Sequence, residues 1–350
     1  MNRTPRAKSP LTLLRNHLGW AVGAAYLAAA TMPAPGLWLR HTHRIGAAAM
    51  LDVPFTAPHF LLSLVLFTAG LQVPLHELRA LLGRPTALLT GLVLHLVAPL
   101  LIIPGVAFAL RQSPDSDGGS GLVAAMILIV AMPVAAGATV WTSKGDGDQP
   151  TTVGLVLAST IVSPLTTPVT VTALCPLLSG EYAGTLAGAA QTAGNGFALT
   201  GVLLPCGAGI LGRLALPRPL LARLLGAAVP AAMLGSLLLT YINASGALGP
   251  FLAHPEPVLF TAALAVAATV CGLSFALGGI TARVLRLDAP AGAAVTLACG
   301  MNNSSASAVL ITTTLPDRPH VILPVLAYSL LQKVAAGRVV RAGRQHRARA

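Results

Sequence analysis

The sequence predicts an all-α integral membrane protein of ten transmembrane helices. Three observations carry this: 55% of the 350 residues are hydrophobic, only 9% are charged, and the charges sit at the borders of long apolar runs. A soluble domain carries about 25% charged residues, so a chain this poor in charge cannot cover a water-facing surface. At about 20 residues per crossing plus short turns, the length allows about ten spans.

Each run has its own boundaries in charge, proline or glycine. The first, His17–Trp38, follows the basic cluster Arg3, Arg6, Lys8 and Arg15. A basic start and an apolar run reaching Ala28–Ala30 resemble a secretory signal, but this run continues to Trp38 and reads as a helix. Phe55–Leu75 is closed by Glu77 and Arg79, and Thr86–Leu110 lies between Arg84 and Arg111. Gly121–Thr142 ends at Lys144, and Thr151–Leu178 runs from Asp148 to Glu181. Leu186–Ile210 stops before Arg213, and Leu221–Ile242 follows Arg218. Val258–Ile280 lies between Glu256 and Arg283, Ala289–Thr314 between Asp288 and Asp317, and Val321–Val340 closes the set after Arg318.

Charge placement tests the count. With the N-terminus in the cytoplasm and the spans alternating, all but four of the 22 basic residues fall on the cytoplasmic side, including the six from Lys333 onward. The four outside are Arg40, Arg44, Arg111 and Arg318. One missed span would scramble this asymmetry, so both termini are expected in the cytoplasm of a cell-membrane protein. The net charge of +12 then belongs to lipid headgroups and topology rather than to nucleic acid. The cysteines Cys175, Cys206, Cys271 and Cys299 lack metal-ligand spacing and read as small buried apolar residues.

The chain divides near Glu181 into two halves of five spans, about 16–178 and 183–340, followed by a basic tail at 341–350. Five is odd, so the second half enters from the opposite side, which is the plan of inverted repeats. The fourth span of each half is unusual. Span 4 carries Met132–Pro133–Val134–Ala135–Ala136–Gly137–Ala138–Thr139, and span 9 carries Cys299–Gly300–Met301–Asn302–Asn303–Ser304–Ser305. Pro133, Gly137 and Gly300 mark expected helix breaks. Broken helices expose backbone groups at membrane depth, which is tolerable only inside protein or beside a cavity. Thr139, Asn302, Asn303 and Ser304 are therefore expected to bind substrate, and the carbonyls of Cys299 and Met301 to contribute to a cation site.

Other polar residues keep two readings. His95, near the middle of span 3, is either functional or a neutral imidazole bonded to a neighbouring helix. Ser159, Thr160, Ser163, Thr166 and Thr167 in span 5 either contact ligand or bend their own helix. All ten acidic residues lie in loops or at helix ends, which argues against a proton relay through a buried carboxylate. Gly145–Asp146–Gly147–Asp148 matches the GxGD pattern of intramembrane aspartyl proteases, but with no second mid-span Asp it reads as a turn. HExxH, GxSxG and Walker sequences are absent, so ATP-driven transport would need another subunit.

Three stretches resemble the bile acid:sodium symporter family over nearly the full length. They are Phe67–Gln72 through Leu81–Pro85; the proline-broken span 4 with Leu157–Pro168 after it; and Gly300–Met301–Asn302–Asn303–Ser304 followed by Leu323–Pro324 and Tyr328–Ser329. The resemblance implies two inverted five-helix repeats in which helices 4 and 9 cross at their breaks. It also implies a panel of helices 1, 2, 6 and 7 against a core of the rest. It further implies sodium-coupled uptake of a small organic anion, with sodium as coupling ion and no other cofactor. Thr152 matches a sodium-ligating serine and Asn302 a glutamine, and His95 lies about one residue from the family's helix 3 glutamine. The chain departs where the family's sodium-ligating glutamate becomes Ala298, a Ser-Asn pair becomes Ala138–Thr139, and a threonine becomes Val156. These departures open a second expectation, a sodium-independent facilitator or exchanger of the same fold. An intramembrane enzyme or a non-transporting receptor is a third, resting on the GxGD match alone.

Overall fold

The computed structural model describes residues 18–40, 56–73, 85–111, 119–253, 255–315 and 317–347. The basic cluster Arg3–Arg15, Arg44, Arg79 and the Leu81–Arg84 stretch lie outside the described residues.

The first predicted span is two helices, α1 (Leu18–Thr31) and α2 (Pro33–Arg40). Pro33 has no N–H to continue the ladder, so the chain turns at Met32. The Met32 carbonyl is satisfied by the Tyr241 hydroxyl at 2.7 Å, which also accepts from Gly36 N at 3.2 Å. Then follow α3 (Ala57–Leu71) and α4 (Pro85–Leu110). Span 4 is broken as expected, into α5 (Ser120–Val130) and α6 (Gly137–Lys144). Span 5 is α7 (Gln149–Leu174), continued by a 3-10 turn at Cys175–Leu177.

Span 6 starts earlier than its hydrophobic run and is not uniform. It comprises α8 (Glu181–Thr192), a π-helical stretch over Ala193–Leu203 and α9 (Leu204–Ala215). Span 7 extends well past its predicted end as α10 (Arg218–Ala253). The polar residues Asn243 and Ser245, which look like a boundary, are buried and stay helical. Span 8 is α11 (Pro257–Val284). Span 9 is broken into α12 (Ala289–Gly300) and α13 (Ser304–Thr314). The last helix, α14 (Ile322–Arg347), runs without interruption into the stretch read as a tail. Lys333, counted with the cytoplasmic basic residues, therefore stands at the middle of the apolar part of α14, Ile322–Gly343. A lone Lys with apolar flanks on both sides does not end a helix.

Six of these segments are long and apolar enough to cross a membrane: Pro85–Leu110, Gln149–Leu177, Phe197–Ala215, Arg218–Ala253, Pro257–Val284 and Ile322–Gly343. The remaining apolar helices are shorter, because several are halves of broken spans. The described residues form an all-helical bundle, and its apolar spans make the chain a multi-pass membrane protein.

Burial sorts the helices. Every residue of α5 is buried, as are Val295–Gly300 of α12 and Ala306–Ile311 of α13. Unbroken helices carry the outer apolar face: Leu89, Val93 and Phe108 on α4, Ile161, Leu165 and Val169 on α7, Leu234 on α10. Broken backbone thus sits within protein and continuous helix meets lipid, as the cost of unpaired polar backbone in hydrocarbon demands. Helices α1, α2, α3, α9 and α10 pack on one another, and α4, α5, α7, α11, α12 and α14 form a second group. In the first group α3 and α9 touch backbone to backbone: a Cβ on Gly70 would lie 2.1 Å from the Cys206 carbonyl, and one on Gly209 equally close to that of Phe67.

Candidate functional site

The two breaks meet. Val134 and Asn302 form an isolated antiparallel bridge. Ala135 N donates to the Met301 carbonyl at 2.8 Å, and Asn303 N donates to the Pro133 carbonyl at 3.0 Å. Each unwound segment therefore supplies what the other has lost.

The remaining backbone groups are accounted for by side chains from neighbouring helices. Val134 N donates to Ser159 Oγ at 3.1 Å, and Thr167 Oγ1 donates to the Ala131 carbonyl at 2.9 Å, so α7 braces the first break at two points. The imidazole of buried His95 on α4 hydrogen-bonds the Met132 backbone. At the second break, Asn302 N donates to Gln332 Oε1 at 3.1 Å. The Tyr328 hydroxyl donates to the Gly300 carbonyl at 3.1 Å and accepts from Asn302 Nδ2 at 3.0 Å. Gln332 Nε2 reaches Ser304 Oγ at 3.3 Å. Asn303 is the N-cap of α13, its Oδ1 accepting from Ala306 N at 3.1 Å.

Among the described residues, a group in the second break has no protein partner, nor has Ser307 Oγ on the first turn of α13. Asn302 Oδ1 is fully buried and accepts no hydrogen bond. Its residue is 2% exposed while its amide nitrogen and its backbone N–H are both engaged. A buried carbonyl oxygen left this way carries a penalty of about 1–3 kcal/mol unless a donor or a cation meets it. Helix ends add to the field. The C-termini of α5 and α12 and the N-termini of α6 and α13 converge here, so partial negative and partial positive charges lie side by side.

Of the residues singled out in the sequence, Pro133, Gly300, Met301, Asn302, Asn303 and Ser304 are brought together at the crossing, with His95 beside it. The Met301 carbonyl already accepts from Ala135. Cys299 is buried on the last turn of α12. Gly300 is required for packing: a Cβ there would lie 2.2 Å from the Phe275 ring. At Gly137, the exposed first residue of α6, an added Cβ would meet only the Met301 methyl at 3.9 Å. Thr139 lies on the first turn of α6, its hydroxyl bonded to the Ala136 carbonyl. Thr152 points elsewhere, its hydroxyl engaged by Thr142 Oγ1 at 2.9 Å and the Asp148 carbonyl at 3.1 Å.

Four polar side chains hold the crossing in a role the sequence did not assign them: Tyr328, Gln332, Ser159 and Thr167. The first pair stands out as polar residues inside an apolar helix. The second pair was read as contacting ligand or bending α7, not as bracing the first break; bending is the role that Thr160, Ser163 and Thr166 do take by bonding their own helix. Asp148 of the GxGD sequence caps α7, accepting from Thr151 N at 3.2 Å and Thr151 Oγ1 at 2.7 Å.

Comparison with known proteins matches residues 59–254 to the model of the Sodium Bile acid symporter family. That stretch is more than half of the chain and holds the first break and the helices that brace it. The chain belongs to the sodium bile acid symporter family. A curated relative is the uncharacterized sodium-dependent transporter YocS of Bacillus subtilis (strain 168), 23% identical over 253 residues, or 72% of each chain. Membership makes this chain a membrane transporter, and the paired breaks are the structural feature that a transporter of this family has to explain.

Proposed function

We propose that the chain is a sodium-coupled symporter that carries a small organic anion by alternating access. The reading places ten spans in two inverted repeats, both termini in the cytoplasm, and the panel α1, α2, α3, α8, α9 and α10 moving against the remaining helices. The observation that carries it is the pair of breaks joined by reciprocal backbone bonds around the unpartnered Asn302 Oδ1. Sodium is a hard cation that takes neutral oxygens, and helix C-termini reinforce its binding. Asn302 Oδ1 and the carbonyl ends of α5 and α12 fit that demand, with Ser304 and Asn303 beside them. The N-terminus of α6, which has no side-chain cap, suits the anion. Thr139 and His95 border the same region. The family's own name and that of the relative, a sodium-dependent transporter, point in the same direction. No catalytic role is assigned, since Asp148 serves as a helix cap.

A second reading, a sodium-independent facilitator or exchanger, is favoured by Ala298 at the family's glutamate position. One experiment separates the two. Proteoliposomes are loaded with potassium buffer, diluted into sodium or choline buffer, and assayed for uptake of a steroid acid and of short carboxylates. Symport predicts uptake that is at least several-fold higher in sodium and lost in Asn302→Ala. Equal uptake in choline selects the facilitator, and no uptake of any anion under either condition removes the organic-anion reading.

A further inference from the structure

A charged side chain in the middle of an apolar helix has no role in the crossing. Lys333 is half-buried at the middle of the apolar part of α14, directly after Gln332, whose amide holds Asn302. An ionisable residue at that depth is retained against a large desolvation cost and needs a partner or a water-lined cavity. The described carboxylates do not provide one. Among the described residues, Asp148 and Asp288 are helix caps, Glu256 precedes α11, Glu181 pairs with Arg318, and Asp146 and Asp317 lie in turns. None of them makes an ion pair with Lys333.

The neighbours on its own helix face show where the ammonium stands. Residues four apart on a helix share a face. Ser329, four before Lys333, hydrogen-bonds Tyr26 of α1, and the Tyr26 hydroxyl also reaches the Leu326 carbonyl at 3.4 Å. Gly337, four after, faces the Trp141 ring of α6, from which an added Cβ would lie 3.5 Å away. Lys333 thus stands between a helix of the panel group and the half-helix that follows the first break. Leu330, three residues before Lys333, and Val334 next to it are exposed, so Lys333 stands at the border of the exposed stripe of α14. Its side of α1 is open as well: a Cβ on Gly19 or Gly23 would meet nothing within 4 Å.

We propose that Lys333 is the fixed counter-charge that holds the anionic group of the substrate between α1 and α6. The assignment rests on the organic-anion reading above and narrows it: the substrate carries a carboxylate or sulfonate that must sit beside a lysine ammonium. A neutral analogue of the same shape leaves that charge unpaired and is rejected. Since the sodium ligands proposed above lie on α12, α13 and α5, Lys333 affects anion binding and leaves sodium binding alone.

The test uses the full chain in detergent, with thermal unfolding followed during titration with sodium, with cholate, with cholate methyl ester and with a series of short-chain mono- and dicarboxylates. The wild type is expected to be stabilised saturably by one or more of the acids and not by the ester. Lys333→Met is expected to weaken that stabilisation at least tenfold, Lys333→Arg to keep it, and both to keep the sodium response. The sodium response also shows that the variants are folded. Should Lys333→Met fail to fold, Lys333→Gln replaces it; in addition, trinitrobenzenesulfonate labelling of Lys333 in a Lys8→Arg, Lys144→Arg background is expected to be slowed by the stabilising acid. Stabilisation by an acid that survives unchanged in the charge-free variant, or labelling that the acid does not slow, overturns the assignment while leaving the organic-anion reading standing. No acid stabilising the wild type overturns that reading and this inference together.

Discussion

At the scale of single residues, the crossing depends on a few side chains that have no substitute. Tyr328 is wholly buried and its hydroxyl both donates to Gly300 and accepts from Asn302. Tyr328→Phe keeps the ring and strands both partners, so it is expected to lower stability by about 1–2 kcal/mol, read from the unfolding midpoint in detergent. An unchanged midpoint would mean that the network adds nothing beyond packing. Gly300→Ala puts a methyl into the Phe275 ring, an overpacking expected to cost about 1–3 kcal/mol. Phe275→Leu in the same chain is expected to recover part of it, because residues in contact couple in double-mutant cycles. Additive losses would place the two residues apart. The residues of the second break were plain in the sequence, since four consecutive polar side chains inside an apolar run have no lipid-facing explanation. Gln332 was not singled out, although it is a lone amide inside the predicted span Val321–Val340.

At the scale of elements, the breaks are stable because each unwound strand satisfies the other. Leaving those backbone groups unpaired in hydrocarbon would cost several kcal/mol apiece. Proline and glycine content announced where α5 and α12 end, but not that Pro133 and Met301 exchange partners across the crossing; that needs the two halves placed in space. Helix ends were less legible. The kink at Met32 arises where a neighbouring helix satisfies a group that sequence alone leaves open, as Tyr241 does for the Met32 carbonyl; the length of α10 and the π-helical stretch of span 6 have no such signal in the sequence. Conversely, the Gly145–Asp148 stretch read as a turn from the sequence does end α6 and open α7. Asp148 caps α7 and Asp288 caps α12, so Asp148→Ala and Asp288→Ala are each expected to lose about 1 kcal/mol. Loss of a hydrolytic activity on changing Asp148 would instead restore the protease reading. Between α3 and α9, Gly70→Leu has no room against the Cys206 carbonyl and is expected to abolish folded yield in size-exclusion chromatography; a monodisperse peak at wild-type yield would refute the close contact.

At the scale of the whole molecule, the fold places broken, polar helices inside and continuous, apolar helices outside. Composition and charge placement alone predicted a membrane bundle, and the described residues bear out its helical character and the two breaks. The family match supplies what the residues leave open, the class of work done. The central claim is that the crossing binds a sodium ion through oxygens that include Asn302 Oδ1, although the family's glutamate is Ala298. Thermal stability of the purified protein, titrated with sodium against potassium and choline, tests it most directly. The account predicts a saturable, sodium-specific stabilisation, about 2.7 kcal/mol at a hundredfold excess over the dissociation constant, that disappears in Asn302→Ala. Equal responses to all three cations, or a sodium response that Asn302→Ala leaves intact, would contradict it.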